Sequence, residues 1–268
     1  MYLVLRLLLI ACLFQLCACK TEKLITLYQS GEQIPIIHKK TDSPYGYHIF
    51  TPELYSDEGP EFPLLIFLHG SGERGNSAVD STKLDLVLVH GPPQLINESK
   101  WNVSNSMIVA SPQAHTPQGW ISSDIHEFIE YLIANYRVNK DRIYLTGLSM
   151  GGFGIFNYVG KYGDQGYTAS YVPICGGGKT EYANKFKNIP LWAFHGESDD
   201  TVPVERSADM IEAIKTLNPT IKPKLTLYPG VGHNSWSRTY DGSGMGSENT
   251  DFDPFTISIY DWMFKYQK

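Results

Sequence analysis

The chain has 268 residues, a formal net charge of -6, and 42% hydrophobic residues, an ordinary share for a folded soluble domain. Its length suits one α/β domain with a large buried core. The mild acidic balance provides no basic surface and argues against nucleic acid as a partner.

The first nineteen residues have the composition of an export signal. They carry one positive charge, and the apolar run over 7–16 is too short to span a bilayer comfortably. The run ends in LCAC at 16–19, which resembles a bacterial lipoprotein box with Cys19 as the lipidated residue. We therefore predict a signal over 1–19 and a periplasmic or surface-exposed lipoprotein that contacts the membrane only through its lipid. The alternative is an ordinary signal that is cleaved nearby.

The pattern over 20–268 predicts a single domain with a mostly parallel sheet. Residues 24–28 and 45–50 have the short aromatic or β-branched character of strands, and they predict an antiparallel edge. Continuous apolar runs are typical of strands buried on both faces of a parallel sheet. Such runs cover 64–68, 107–110, 143–145, 169–172, 191–194 and 225–228.

The segments between these runs carry helical spacing. Apolar residues from Ile121 to Ile133 recur with the helical period, and 153–159 and 255–265 also predict helices. The stretch 234–253 is rich in Gly, Ser, Asn and Asp and predicts a long loop. The alternation indicates an α/β fold with helices on both faces of the sheet.

A G-x-S-x-G element lies at 147–151, between the strand-like run 142–145 and the predicted helix 153–159. This arrangement predicts a nucleophile elbow, in which Ser149 is exposed on a strained turn above the sheet. The amides at the start of the helix would face a developing oxyanion. The pattern alone is weak, since a passive serine in a tight turn would look the same.

The ends of three other predicted strands carry residues that complete this chemistry. The loop HGSGERG at 69–75 follows the strand 64–68, and its glycines would let the amide of Ser71 join that of Met150 in an oxyanion hole. An acid, either Asp199 or Asp200, follows the run 191–194, and His233 follows 225–228. Ser149, an acid and His233 have the chain order of an α/β-hydrolase triad.

Other histidines predict no metal site. His69 and His195 precede glycines at strand ends and are interpreted as packing or hydrogen-bonding residues. His115 lies on a loop beside the expected site and is a candidate for substrate contact, although a solvated loop histidine is an equal alternative. No two histidines have the H-x-x-x-H spacing of a metal motif, so no metal is predicted. Acyl transfer through a serine, a base and an acid needs no cofactor, so none is predicted either.

A set of ordered motifs resembles a known group of enzymes. The motifs lie at 69–75, 111–113, 147–152, 173–178, 192–196, 202–204 and 231–236. Together they resemble the secreted, predicted peptidase or esterase branch of the α/β-hydrolase superfamily. Relatives of that branch include feruloyl and acetyl xylan esterases, the phospholipase/carboxylesterase family and dienelactone-hydrolase-like proteins.

The resemblance implies roles for individual residues. It favours Asp199 as the triad acid, which spacing alone leaves open against Asp200. It also makes Trp120 and Trp236 aromatic walls of the acyl or sugar pocket, with ordinary packing as an equal alternative for both. The chain departs from the family pattern over 238–253, which is longer than the link expected between His233 and the last helix.

The sequence thus predicts a serine hydrolase that cleaves carboxylic esters through an acyl-serine. Acetyl or feruloyl esters of plant polysaccharides are the leading substrates, by analogy with the resembling proteins rather than from residues. Two alternatives stay open: a serine peptidase acting on short peptides, and a non-catalytic surface binding protein that retains the fold.

Overall fold

The computed structural model describes residues 31–268. The predicted signal, Cys19 and the predicted strand at 24–28 lie outside the described residues. Within 31–268, no helix combines the length and the apolar composition needed to cross a membrane.

One eight-stranded sheet forms the centre of the described chain, with the order β1-β2-β4-β3-β5-β6-β7-β8. Strand β2 runs antiparallel to both of its neighbours, and the strands from β4 to β8 across the sheet are parallel. The strands are β1 (Gln33–Ile36), β2 (Gly46–Phe50), β3 (Phe62–Leu68), β4 (Ile108–Gln113), β5 (Val138–Leu148), β6 (Ser170–Ile174), β7 (Trp192–Gly196) and β8 (Lys224–Tyr228).

Helices cover both faces of the sheet. They are α1 (Gly91–Asn97), α2 (Ser122–Asn135), α3 (Met150–Tyr162), α4 (Glu205–Lys215), α5 (Trp236–Tyr240) and α6 (Ile259–Met263). Successive residues of β3 serve opposite faces: Leu64 and Ile66 belong to the core cluster that includes buried residues of α2, α3 and α4, whereas Leu65 and Phe67 belong to the cluster that includes residues of α1, α5 and α6. Because both faces are buried, these strands are apolar without alternation.

The predicted parallel sheet is confirmed. The six continuous apolar runs overlap β3 to β8 in order, the helical spacing from Ile121 corresponds to α2, and the predicted strand 45–50 corresponds to β2. Strand β1 escaped prediction because its sequence, QIPI, contains a glutamine and a proline and forms no apolar run.

The C-terminal segment differs from the prediction in two respects. The expected loop 234–253 begins with the short helix α5, and the expected helix 255–265 is reduced to α6. The side chain of Ser258 caps α6 by accepting a hydrogen bond from Asp261 N, whereas Phe255 lies before the cap and is fully buried. Upstream, the amides of Asn249 and Asp253 donate to carbonyl oxygens of β8, so this segment covers the free edge of the sheet.

Candidate active site

Ser149 occupies the turn between β5 and α3. Its backbone has φ 50° and ψ -115°, a region that costs a non-glycine residue on the order of 1–3 kcal/mol. Its amide donates to the carbonyl oxygen of Ile174 at 2.9 Å, which holds the turn in place. Because Ser149 directly precedes the first residue of α3, its hydroxyl lies at the positive end of the helix dipole.

The sharpness of this turn depends on the close approach of α3 to β3 at Gly151. A methyl group at Gly151 would overlap the backbone oxygen of Leu68. That oxygen belongs to the sheet and cannot move aside as a flexible side chain would. Any residue larger than glycine therefore pushes the helix away from the strand end.

We expect Gly151→Ala to lower the free energy of unfolding by about 3 kcal/mol, at the upper end of the range for overpacking. Gly160→Ala is the matched control in the same helix. A methyl group there would meet only side-chain atoms of Tyr182, the nearest at 3.3 Å, and alanine gains up to about 1 kcal/mol in helix propensity. Urea unfolding of both variants measures the difference. Equal losses of unfolding free energy in the two variants would show that the close approach of Gly151 to Leu68 is not the cause.

The structure brings together three of the predicted site residues. His233 Nε2 lies 2.9 Å from Ser149 Oγ, and His233 Nδ1 lies 2.7 Å from Asp199 Oδ2. The neighbouring Asp200 is exposed, and its carboxylate lies 3.4 Å from the hydroxyl of Thr201. Strand β5 thus supplies the serine, the loop after β7 the acid and the loop after β8 the histidine.

Asp199 is held as a buried carboxylate. Its other oxygen, Oδ1, accepts hydrogen bonds from the amides of Thr201 at 3.0 Å and Val202 at 2.8 Å. Burial alone would raise the pKa of Asp199, but the hydrogen bonds from His233 and from these two amides outweigh it and lower the pKa. An ionised acceptor therefore faces Nδ1 of the histidine, which keeps the proton of a neutral imidazole on that nitrogen.

His195 is a second neighbour of this carboxylate and is fully buried. Its Nε2 lies 2.9 Å from the carbonyl oxygen of Val202 and 3.2 Å from Asp199 Oδ2, and its Nδ1 lies 2.8 Å from Ser207 Oγ. Since a carbonyl and a carboxylate only accept, the proton of the neutral ring belongs on Nε2. Burial lowers the pKa of His195, which favours that neutral form. The hydrogen-bonding interpretation of this residue agrees with its position.

The glycine-rich loop after β3 lies close to Ser149. A methyl group added at Gly70 would stand 3.8 Å from Ser149 Cβ, and the short 3₁₀ turn that begins at Ser71 follows directly. Buried His69 holds this loop in place through contacts of both ring nitrogens. Its Nε2 accepts a hydrogen bond from Ala114 N at 3.0 Å, and its Nδ1 lies 2.6 Å from the carbonyl oxygen of Gly70. His69 therefore has the structural position that its sequence context indicates.

The burial of His69 makes the loop sensitive to pH. Burial lowers the pKa of His69 to about 4, below the value of about 6.5 for an unfolded chain. The unfolded state thus binds a proton more readily than the folded state between these values. The contribution of neutral His69 to the free energy of unfolding is fully present above about pH 6.5. It is lost as the pH drops toward about 4, by on the order of 3 kcal/mol.

We expect the variant His69→Gln to lose this part of the pH dependence, although its stability at neutral pH falls as well. Urea unfolding of both proteins at several pH values between about 4 and 7.5 measures the two slopes. Parallel slopes for wild type and variant would show that another group carries the effect.

The predicted substrate contacts take different positions. Trp120 is 6% exposed and donates from its indole nitrogen to the carbonyl oxygen of His69 at 3.0 Å, so it mainly packs below the site. Trp236 is half-buried, and its ring meets the ring of His233 edge-on at 5.3 Å. The ring of His115 contacts that of His38, with centroids 4.3 Å apart and the ring planes tilted by 37°. Of the three, Trp236 is the one whose ring contacts His233.

Two further residues near the site had no sequence signal for being together. Glu73, 8% exposed, lies with one carboxylate oxygen 3.8 Å from His90 Nε2. The ring of His90 is 5.3 Å from that of Trp236. Glu73 and His90 therefore extend the edge of the site beyond Trp236, on the side away from His233. Arg74 donates to the carbonyl oxygens of Ser71 and Pro117. Glu73 and His90 come from separate loops, and only the fold makes them neighbours.

Among residues 31–268, one group has ligand atoms close enough to hold a metal ion: those of Cys175, Asp199 and His233 lie within 4.8 Å of one another. Two of the three residues already serve the hydrogen-bonded chain from Ser149. Burial raises the pKa of the Cys175 thiol to about 12, so the thiolate that a metal would require is strongly disfavoured. The cluster is therefore interpreted as part of the serine site.

The chain is similar in sequence to known esterases. The sequence model of the phospholipase/carboxylesterase family matches residues 51–241, well over half of the chain. A curated relative, the bifunctional acetylxylan esterase/xylanase XynS20E of Neocallimastix patriciarum, is 25% identical over 162 residues. That match covers 58% of this chain but only 21% of the relative, so the chain spans about a fifth of its length.

Solved structures share the fold. A thermostable esterase is 25% identical and superimposes with a TM-score of 0.63 over 88% of this chain and 63% of that one. A truncated carbohydrate esterase from gut microbiota, at 14% identity, has a TM-score of 0.56 over 80% of this chain and 95% of that one. The second likeness concerns the fold alone. The chain therefore belongs to the phospholipase/carboxylesterase family and has the α/β-hydrolase fold.

Proposed function

We propose that this protein is a serine carboxylesterase that acts through an acyl-serine intermediate. The observation that carries the proposal is the unbroken chain of hydrogen-bond distances from Ser149 Oγ through His233 to Asp199 Oδ2. A binding protein needs no such chain. Membership of a carboxylesterase family supports the same activity.

Each residue has a defined part in the reaction. Ser149 Oγ attacks the ester carbonyl carbon while His233 Nε2 takes its proton, and Asp199 stabilises the imidazolium that forms. The amides of Met150 and Ser71 donate to the oxyanion. His233 then protonates the departing alcohol oxygen. A water molecule, deprotonated by the same nitrogen, finally hydrolyses the acyl-serine, and no step calls for a cofactor.

The proposed substrates are acetyl or feruloyl esters of plant polysaccharides. Support comes from the curated relative, whose name combines acetylxylan esterase with xylanase. The triad itself does not select the alcohol, so the substrate must be identified by experiment.

A small panel of substrates tests both the esterase activity and the proposed substrate class. It contains nitrophenyl acetate, nitrophenyl butyrate, methyl ferulate, acetylated xylan and a peptide anilide. We expect turnover of the esters and little turnover of the anilide, with acetylated xylan or methyl ferulate preferred over the simple esters. Turnover of the anilide without any ester turnover would favour a peptidase. Inactivity on the whole panel would remove the proposed activity.

We further propose export and lipid attachment at Cys19, on the pattern at 1–19. Expression of the full chain in a bacterium, followed by mass spectrometry of the N-terminal peptide, tests this proposal. A diacylglyceryl group on Cys19 is expected in the wild type, together with its loss in Cys19→Ala. An unmodified N-terminus at another residue would indicate an ordinary cleaved signal.

A further inference from the structure

A cavity of about 520 Å³ lies between α1 and the C-terminal segment 237–261. We call it the distal groove. One wall comes from α1 and the turn after it, including Trp101 and Asn102. The other wall includes Asp241 and Met245. The family match ends at residue 241, so much of this second wall belongs to the stretch in which the chain departs from the family pattern.

The near end of the distal groove adjoins the triad. Gly91 and Ser237 line the groove, and they directly follow His90 and Trp236, whose rings lie 5.3 Å apart. Trp236 in turn contacts the ring of His233. Because His233 protonates the departing alcohol in the proposed reaction, the alcohol part of an ester lies on the histidine side of the site. The distal groove extends from that side.

The lining suits the hydroxyl groups of a sugar. Asn102 and Asp241 are exposed and offer an amide and a carboxylate, which can donate to and accept from hydroxyls. The half-buried Trp101 packs edge-on against Tyr260 with ring centroids 4.9 Å apart. Tyr260 therefore steadies an apolar indole surface of the kind that packs against carbon-bound hydrogens of a sugar ring.

Charge selects against acidic ligands. The lining contains the carboxylates of Glu98, Asp241 and Asp261, and among the described lining residues Lys100 alone is cationic. Lys100 already pairs with Glu98 at 2.8 Å. The net negative field disfavours a phosphate headgroup or a uronic acid and leaves neutral sugars acceptable.

From these observations we propose that the distal groove binds a neutral glycan chain that forms the alcohol part of the ester substrate. The inference rests on the proposed esterase function for its meaning, and it adds the location and chemical class of the substrate's alcohol part. A cavity of this size holds more than one sugar ring, so the bound substrate is a chain rather than a single ester-bearing sugar.

Binding without turnover tests the proposal on the Ser149→Ala protein. Calorimetry with xylohexaose, cellohexaose and mannohexaose is expected to show saturable binding of at least one of them, and none of comparable affinity for trigalacturonate. Adding Trp101→Ala should weaken binding at least tenfold. Asn102→Ala, at an exposed position that the fold does not need, should weaken it severalfold. Leu54→Ala is the control, since Leu54 is 79% exposed and does not line the groove.

Activity provides a second measurement. In a chain with Ser149 intact, Trp101→Ala and Asn102→Ala should raise KM for acetylated oligosaccharides of whichever neutral glycan binds, and leave kcat/KM for nitrophenyl acetate within about twofold of the wild type. Absence of binding by all three neutral hexaoses would overturn the proposal. An affinity of both groove variants equal to that of the Ser149→Ala parent would also overturn the proposal, as would tighter binding of trigalacturonate than of the neutral hexaoses. A wild type inactive on nitrophenyl acetate would refute the esterase function instead, independently of the calorimetry.

Discussion

Ser149→Ala is expected to lower kcat for nitrophenyl acetate by a factor on the order of 10⁶, the scale seen when a serine nucleophile of this kind is removed. Without Oγ no acyl-serine forms, and His233 Nε2 loses the group from which it takes a proton. The fold should persist. Alanine adopts the same backbone as serine in the turn, and the lost hydrogen bond is worth only about 1 kcal/mol.

Ser198→Ala provides the control for this result. Ser198 is an exposed serine one residue before Asp199, and its hydroxyl lies outside the chain of contacts from Ser149 to Asp199. Steady-state kinetics on purified proteins, with a urea unfolding curve for each, separates lost chemistry from lost fold. If Ser149→Ala stayed within tenfold of the wild type while folded, another group would be the nucleophile.

Asp199→Asn is expected to lower kcat by on the order of 10⁴ at neutral pH. The amides of Thr201 and Val202 both donate to Oδ1, so the oxygen of the new amide stays there and its NH₂ group replaces Oδ2. That NH₂ group then faces His233 Nδ1 and forces the imidazole proton onto Nε2. The nitrogen beside Ser149 Oγ is thereby protonated and can no longer act as a base.

Asp200→Asn is the matched control, with the same chemical change one residue along the chain. Its carboxylate is exposed and contacts neither histidine, so kcat should stay close to the wild-type value. Because the folded state lowers the pKa of Asp199, the stability that Asp199→Asn loses should be present above about pH 4 and shrink as the pH falls below it. Equal kinetic losses in both variants would contradict the assignment of the acid.

The parts of the fold that depend on local pattern could be predicted from the sequence. Strands such as β3 are buried on both faces, so their runs are continuously apolar, and 147–151 has the spacing of a strand-to-helix elbow. Strand β1 depends on pairing with β2 rather than on its own composition. The shortened final helix reflects the burial of Phe255 before the Ser258 cap, which helical spacing over 255–265 does not reveal.

The site shows the same division. Chain order and strand ends predicted the positions of Ser149 and His233, but adjacent aspartates are equivalent as letters. What separates Asp199 from Asp200 is the direction of a side chain, set by the amides of Thr201 and Val202. Glu73 and His90 come from separate loops, and His195 contacts the carboxylate of Asp199 across a turn. Such contacts follow from the tertiary fold, and residue order does not encode them directly.

Covalent labelling shows directly whether Ser149 is an activated nucleophile. The folded wild type is treated with a diethyl phosphate ester such as paraoxon, then digested and mapped by mass spectrometry. We expect one diethylphosphoryl group on Ser149, loss of esterase activity in proportion to labelling, much slower labelling of Asp199→Asn, and no labelling of Ser149→Ala. A folded wild type that stays unlabelled, or that carries the group on another residue while losing activity, would show that Ser149 is not the activated nucleophile.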